Sequence, residues 1–177
     1  ITGKLPYCNE DEDGKMEGSL ASLATTLHDK FGITVKTVAF DSYKMMSKAL
    51  SEGSIDVALP AYRDYWFAEQ SGVMQSVSLG TMSLTAIHTG SNLKKDLQNI
   101  ACTKSSFVNK NALESLFPTA TVTEYQSDDE AFDALRKGTA RCIVAPSSRV
   151  KTIGDRYDLE DCETVELPDT CDLACLM

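Results

Sequence analysis

Residues 41–60 carry the pattern that decides the fold, and their sequence is DSYKMMSKALSEGSIDVALP. Asp41 or Ser42 can cap a helix whose apolar side chains recur at helical spacing, and Gly53 is typical of a helix end. Residues 55–59 then form a short apolar run of the kind found in buried strands. A helix followed by a glycine turn and a buried strand predicts parallel strands with helices packed across them, which is an α/β fold.

The same alternation of helices and strands continues on both sides of this segment. Upstream, apolar residues at helical spacing begin at Ser19 and stop at Gly32. Downstream, Ser127 and Glu130 form a capping box, in which each side chain satisfies backbone donors at a helix start. Helices are also predicted over residues 64–70, 111–117 and 147–157, and strands over residues 33–40, 82–88, 100–102, 120–125, 141–145 and 164–167.

The α/β pattern occurs twice, and the loop-like stretch Thr89-Gly90-Ser91-Asn92 separates the two occurrences. This arrangement predicts a two-lobed α/β fold with mixed sheets flanked by helices, a hinge and a central cleft. The predicted boundaries are residues 1–88 with 165–177 for lobe one, residues 89–164 for lobe two, and hinges near 86–92 and 163–170. Ligands of open α/β sheets bind at the carboxyl ends of the strands, so the cleft is the predicted binding site.

Composition limits the partners of the chain. Its 177 residues are 42% apolar, which is enough to build a core, and carry a net charge of −9. An acidic excess argues against nucleic acid, whose phosphates require clustered Lys and Arg. The longest apolar stretches are far shorter than the roughly 20 residues of a membrane-spanning helix. We therefore expect a globular domain that reaches a membrane only through segments outside this sequence.

Six cysteines, at positions 8, 102, 142, 162, 171 and 175, are too sparse for a disulfide scaffold. Cys142 lies in an apolar run and is predicted to be a buried thiol. Cys162, Cys171 and Cys175 cluster near the end of the chain and could form a bridge in an oxidising compartment. Zinc is the weaker interpretation, because no second pair of ligands lies nearby in sequence.

Other motifs that could carry chemistry are incomplete. Residues 9–14 imitate the first half of a calcium loop, but its twelfth position is Leu20 instead of Glu, and a hairpin turn at 13–14 explains the same residues. No phosphate-binding loop, nucleophile elbow or zinc-protease motif occurs. Neither His28 nor His88 has an evident nucleophile that it could activate as a general base. We expect no metal, no cofactor and no catalytic residue.

The order of several weak motifs resembles one family. Leu5-Pro6-Tyr7 and residues 13–18 resemble an opening strand, aromatic residue and hairpin, and residues 41–56 resemble an aromatic–helix–Leu-x-x-Gly-x-x-Asp signature. Residues 95–97 resemble the Asp-Leu pair that opens a second lobe, and residues 134–138 a second Leu-x-x-Gly turn. In order and spacing the chain is similar to the type-two periplasmic solute-binding fold, specifically solute-binding protein family 3, which includes amino-acid-binding proteins.

Two departures from that family bear on the ligand. The resemblance implies an arginine that grips a ligand carboxylate on the helix after a first-lobe strand, and Ala68 stands at that position. It also implies an acidic residue after the last second-lobe strand for a ligand ammonium, where this chain has Pro146. A buried ion needs a partner to offset its lost hydration, so both anchors of an α-amino acid are expected to be missing.

The resemblance and the cleft together define a set of candidate ligand-binding residues. Lobe one is expected to contribute an aromatic surface with one cation, and Trp66 fits either packing or ligand contact. Lobe two contributes hydroxyls and backbone donors at a helix start, which suit an anion or a carbonyl group. The candidates are Tyr7, Tyr43, Pro60, Ala61, Tyr62, Arg63, Trp66, Thr103, Lys104, Ser105, Ser106, Ser147, Ser148 and Asp169.

The family resemblance implies an extracytoplasmic domain, on the periplasmic or extracellular face of a bacterial membrane, that binds a small solute without enzymatic activity. We expect the ligand to be anionic or aromatic and the chain to be a monomer or a weak dimer. The favoured role is the ligand-sensing input module of a membrane signal-transduction protein. Alternatives are the solute-binding receptor of an ABC-type transporter, a dehydratase-like enzyme, and a module whose cleft binds another protein.

Overall fold

The structure is a computed structural model that describes residues 9–10, 16–38, 40, 43–63, 65–90, 92–104 and 108–177. The described strands are β1 (Asn9–Glu10), β2 (Met16–Glu17), β3 (Ala58–Tyr62), β4 (Gly80–His88), β5 (Asn99–Thr103), β6 (Thr121–Tyr125), β7 (Cys142–Pro146) and β8 (Glu163–Leu176). The described helices are α1 (Ser19–Phe31), α2 (Tyr43–Ser51), α3 (Tyr65–Ser71), α4 (Leu93–Asp96), α5 (Lys110–Leu116), α6 (Asp128–Arg136) and α7 (Val150–Arg156), with a 3₁₀ turn at Ser147–Arg149.

One mixed sheet organises the described part of the chain. Its six strands follow the order β3-β8-β4-β7-β5-β6. Strands β5, β6 and β7 are parallel to one another, whereas β4 is antiparallel to both β7 and β8, and β3 is antiparallel to β8. The short strands β1 and β2 pair separately. A mixed sheet flanked by helices confirms the α/β class predicted from the alternating pattern.

Apolar side chains cover both faces of the sheet. Successive residues of a strand point to opposite faces, so Leu84 joins a cluster that includes Leu113 of α5, while Ile87 joins one that includes α6 and α7. In the second cluster the rings of Phe132 and Tyr157 stack with centroids 4.1 Å apart. Burial on both faces explains why residues 84–88 of β4 are buried without interruption.

A third cluster confirms the helix and the buried strand predicted over residues 41–60, although β3 pairs antiparallel with β8 and not with the parallel neighbour that was expected. Met46 and Leu50 of α2 are buried against Ala58 and Ala61 of β3 and Leu176 of β8. The helix therefore packs on the edge of the sheet formed by the strand that follows it.

The first half of the predicted capping box is confirmed, and its return bond is made to the residue before Ser127. The Ser127 hydroxyl accepts a hydrogen bond from the backbone N–H of Glu130 at 3.2 Å, and the Glu130 carboxylate accepts one from the N–H of Gln126 at 3.0 Å. Gly32 ends α1 in the left-handed conformation with φ of 67°, where glycine carries no steric penalty.

One predicted strand is not formed, and another is longer than predicted. Residues 33–38 form no strand, and Ile33, Val35 and Val38 are exposed, because no described strand lies beside them to use their hydrogen-bonding groups. The predicted strand over residues 164–167 is the first third of β8, which continues past Pro168 to Leu176. Smaller differences are a start of β3 at Ala58 instead of residue 55 and a 3₁₀ opening to the 147–157 helix.

The five described cysteines are not bonded to one another. Cys171 and Cys175 lie four residues apart in β8, about 13 Å along an extended strand, so they cannot bridge to each other. Cys142 is fully buried, as predicted. Among the described residues, no helix is long and apolar enough to cross a membrane, and no cluster of three His, Cys, Asp or Glu side chains could hold a metal ion. The turn predicted at 13–14 lies outside the described residues.

Candidate functional site

Strands β4 and β8 are neighbours in the sheet and pair along the length of β4. Their pairing has one irregularity. Ser83 pairs with Thr170 and Thr85 pairs with Glu166, so one residue of β4 faces three residues of β8, 167–169. Beyond the irregularity β4 is buried at residues 85–88, whereas Thr81 and Ser83 before it are exposed. We call this irregularity the register break.

The strand ends on either side of the register break point toward each other. Strand β3 runs parallel to β4 and ends at Tyr62, which pairs with Leu173 of β8, itself paired with Gly80 of β4. Strand β7 runs the opposite way and ends at Pro146, paired with Leu84. Three residues of β4, 81–83, lie between these two ends, which are about 13 Å apart along the strand. We call the gap between the two ends the cleft.

The cleft has two sides, which we call its banks: the end of β3 forms the first bank, and the ends of β5 and β7 form the second. A crevice lies on the second bank. The ladder between β5 and β7 contains only the pairs Ile100↔Cys142 and Ala101↔Ile143, so it stops before the ends of both strands. From β5 the chain passes through α5 to β6 on one side, then returns through α6 to β7 on the other side. The carboxyl ends of β5 and β7 therefore form a topological switch point, where open α/β sheets bind their ligands.

Polar side chains gather at this crevice. The Thr103 hydroxyl donates a hydrogen bond to Oδ1 of Asp128 at 3.1 Å, and Oδ2 of Asp128 lies 3.8 Å from Nη2 of Arg149. The hydroxyls of Ser147 and Thr85 share a hydrogen bond of 2.8 Å, which ties the end of β7 to β4 beside the register break. The crevice thus holds one partly buried cation, its counter-charge and several hydroxyl groups.

The opposite bank carries a second ion pair. Arg63 follows β3 directly, and its Nη1 lies 3.3 Å from Oδ2 of Asp172, while its backbone N–H donates to the Asp172 carbonyl at 3.0 Å. Asp172 pairs with Thr81 and Thr170 with Ser83, so these side chains lie on one face of the sheet at the floor of the cleft.

The described candidate residues take different environments. Tyr62 packs against the first core cluster, and Ala61 is fully buried under α2. Thr103 and Ser147 lie at the crevice, Lys104 is exposed in the following turn, and Ser148 is exposed in the 3₁₀ turn. Asp169 is exposed in the three-residue segment at the register break.

The remaining candidates lie wholly or partly outside the described residues. Tyr7, Ser105 and Ser106 fall outside them altogether. The backbone places Tyr43 at the start of α2, Pro60 in β3 and Trp66 in α3, and their side chains lie outside the described part.

Four polar residues of the cleft were missed at the sequence level: Thr85, Asp128, Arg149 and Asp172. The contacts of these four residues are with residues distant in the sequence, and no local motif signals such contacts. The two positions where the family resemblance places charged anchors hold buried apolar side chains, Ala68 in α3 and Pro146 at the end of β7.

Comparison with protein-family models and with curated proteins gives no match. Many solved structures share the fold. An ancestral arginine-binding protein bound to glutamine has 18% identity and a TM-score of 0.69, with 99% of this chain and 81% of that chain covered. The periplasmic VFT2 domain of Bordetella pertussis BvgS has 16% identity and a TM-score of 0.69, over 99% and 78% of the two chains. A solute receptor for L-cysteine from Neisseria gonorrhoeae has 17% identity and a TM-score of 0.69, over 98% and 73%. The chain therefore has the two-lobed fold of periplasmic binding proteins.

Proposed function

We propose that this domain binds a small solute in the cleft, on the extracytoplasmic side of a membrane. The observation that carries the proposal is the crevice at the carboxyl ends of β5 and β7, which faces the end of β3 across the register break. The fold shared with periplasmic proteins that bind glutamine or L-cysteine supports a solute of similar size.

The register break is proposed as the hinge of the two lobes. In the described part of the chain only β4 and β8 carry the sheet across the cleft, and their ladder is interrupted between Ser83 and Thr85. Bending there would bring Arg63 and Arg149 toward each other around a bound solute. A solute that contacts both banks stabilises the closed form by its higher affinity for that form. This hinge falls within the expected 163–170 segment and just before the expected 86–92 segment.

We further propose that solute-driven closure makes the domain the input module of a membrane signalling protein. The shared fold with the BvgS periplasmic domain supports this role, and the L-cysteine receptor supports the transport alternative. The coding sequence on either side of these 177 residues distinguishes the sensor from the transport receptor. A membrane span followed by a signalling domain in the same frame supports the sensor, and a lipid-anchor signal with no further domain supports the transport receptor.

Binding without catalysis fits the described side chains. A hydrolase or dehydratase needs a titratable group free to transfer a proton at the cleft, and the carboxylates of Asp128 and Asp172 there are each paired with an arginine. Among the described residues, His28 is exposed on α1, and His88 pairs with Cys142 at the far end of β4 from the cleft. Both described arginines of the cleft are already matched by carboxylates.

A thermal-shift screen against amino acids, organic acids, polyamines, sugars and nucleosides tests solute binding. A solute present at 100 times its Kd adds about 2.7 kcal/mol to the unfolding free energy, and each kcal/mol raises the Tm of a domain of this size by about 2–4 °C. We expect at least one solute to raise the Tm by about 5 °C or more.

A matched pair of variants ties such a shift to the cleft. Ser83→Trp places a large side chain on the exposed floor and is expected to abolish the shift, whereas Thr123→Trp on the exposed face of β6 is expected to keep it. No shift with any solute, or an equal shift in both variants, would overturn the proposal.

A further inference from the structure

Arg149 has a buried donor with no acceptor. Its side chain is only 13% exposed, and its Nε has no hydrogen-bond partner among the described residues. Its ion pair with Asp128 spans 3.8 Å from Nη2, which is beyond hydrogen-bond length. A buried N–H group without an acceptor is unfavourable, and most such groups in proteins have a protein, water or ligand partner.

Asp128 holds this guanidinium at the crevice without occupying its donors. One carboxylate oxygen of Asp128 accepts the hydrogen bond of Thr103 at the end of β5, and the other faces Arg149. The carboxylate thus balances the charge of Arg149 and links β5, α6 and the turn after β7. The Nε edge of the guanidinium is left for another oxyanion.

Arg156, seven residues after Arg149, lies in a different environment. Its Nη2 lies 3.2 Å from Asp129, its side chain is 51% exposed, and its guanidinium lies 5.2 Å from the centre of the Tyr157 ring. It is a surface arginine with satisfied contacts, and it does not lie at the end of a sheet strand.

We infer that Arg149 binds the anionic group of the solute, and that this group is a carboxylate. The inference rests on the proposed solute-binding function and adds the ligand class and the residue that recognises it. The planar guanidinium presents Nε–H and Nη–H in the fork that matches the two oxygens of a carboxylate. The charged anchor of this chain is therefore on the second bank of the cleft, instead of at the apolar Ala68 on the first.

Paired probes test the carboxylate. The intact chain is titrated with succinate, benzoate, L-glutamine and L-cysteine, and with succinamide, benzamide and the amides of the two amino acids, by thermal shift and calorimetry. Inorganic phosphate and sulfate separate a carboxylate site from a general oxyanion site. We expect at least one carboxylate to bind, its amide to bind at least about tenfold more weakly, and phosphate and sulfate not to bind.

Variants assign the binding to Arg149. Arg149→Met is expected to weaken the carboxylate at least about tenfold, and Arg156→Met is expected to leave its Kd unchanged. Arg149→Lys keeps the charge but lacks the Nε–H edge, so it should also bind about tenfold more weakly, and it remains testable if Arg149→Met does not fold.

The outcomes separate this inference from the proposed function. Unchanged carboxylate binding in the Arg149 variants, equal binding of acid and amide, or preference for phosphate would overturn the inference alone. A neutral solute that binds and ignores Arg149→Met would do the same and would leave the solute-binding function standing. Absence of binding by every solute would overturn both.

Discussion

His88 and Asp96 form a buried pair at the end of the sheet opposite the cleft. His88 is 1% exposed, and its Nδ1 lies 3.0 Å from Oδ2 of Asp96. Nε of Arg141 lies 3.7 Å from the other Asp96 oxygen, and Glu163 lies 3.8 Å from Nε2 of His88. The cluster joins the end of β4 to α4 and to the starts of β7 and β8. Removal of one member of a buried polar pair leaves the other without compensation.

Gly90 is required beside this pair. A Cβ atom at position 90 would collide with the Asp96 carboxylate, whereas one at Gly154 would lie 3.7 Å from Leu159, an ordinary contact. We expect Gly90→Ala to displace Asp96 from His88 and to lower the unfolding free energy by about 1–3 kcal/mol. Gly154→Ala, inside α7, should instead raise it by roughly 0.5–1 kcal/mol. Urea unfolding measures both, and equal stability of the two variants would show that the pair tolerates the movement.

Cys142 makes stability sensitive to alkaline pH. Burial, with a contribution from the Asp96 charge, raises the pKa of its thiol to about 12. An unfolded cysteine ionises near pH 8.5, so this thiol's contribution to stability is complete below pH 8.5 and is lost as the pH rises toward 12. Between pH 8.5 and 10 the loss should approach about 2 kcal/mol.

Unfolding of the wild type and of Cys142→Ala at pH 7, 8.5 and 10 isolates this thiol from Cys102 and Cys171, whose pKa values burial also raises to about 12. The difference in unfolding free energy between the two proteins should shrink by about 2 kcal/mol at pH 10. A constant difference across the range would mean that Cys142 reaches solvent in the folded state.

At the scale of elements, β4 has two unlike halves. Residues 85–88 pair with β7 on one side and β8 on the other and are buried, whereas residues 80–83 pair with β8 and are mostly exposed. Buried strands open only with the whole domain, and exposed segments open locally. We expect amide hydrogens of residues 85–88 to exchange at least about tenfold more slowly than those of residues 80–83. Hydrogen exchange with mass spectrometry of short peptides checks this, and uniform protection along β4 would argue against a hinge at the register break.

Elements with local signals were predictable from the sequence. Ser127 and Glu130 mark the start of α6, and Gly32 marks the end of α1, because caps are formed by residues close in sequence. Elements that depend on a distant partner were not. Residues 33–38 have the composition of a strand but lack a described neighbour, and the passage of β8 through Pro168 depends on the irregular pairing with β4.

For the whole molecule, the fold class followed from the sequence, whereas the ionic contacts at the strand ends did not, and the position of the ligand site stays a prediction. Arg63 and Asp172 are separated by 109 residues, and the Arg149–Asp128 ion pair joins the turn after β7 to the start of α6. Local spacing carries no information on strand order. The aromatic candidates Tyr7, Tyr43 and Trp66 stay predictions.

The paths of β4 and β8 also limit how such a domain can be divided. A fragment of residues 93–162 would contain β5, β6 and β7 but would leave β7 without its partner β4, as a bare edge with free hydrogen-bonding groups. Bare edges pair with other chains and promote aggregation. The segment that carries Arg149 is therefore not expected to fold independently when it is moved into another protein. In recombination, whether by evolution or in the laboratory, its fold is inherited only together with the two long strands that complete its sheet.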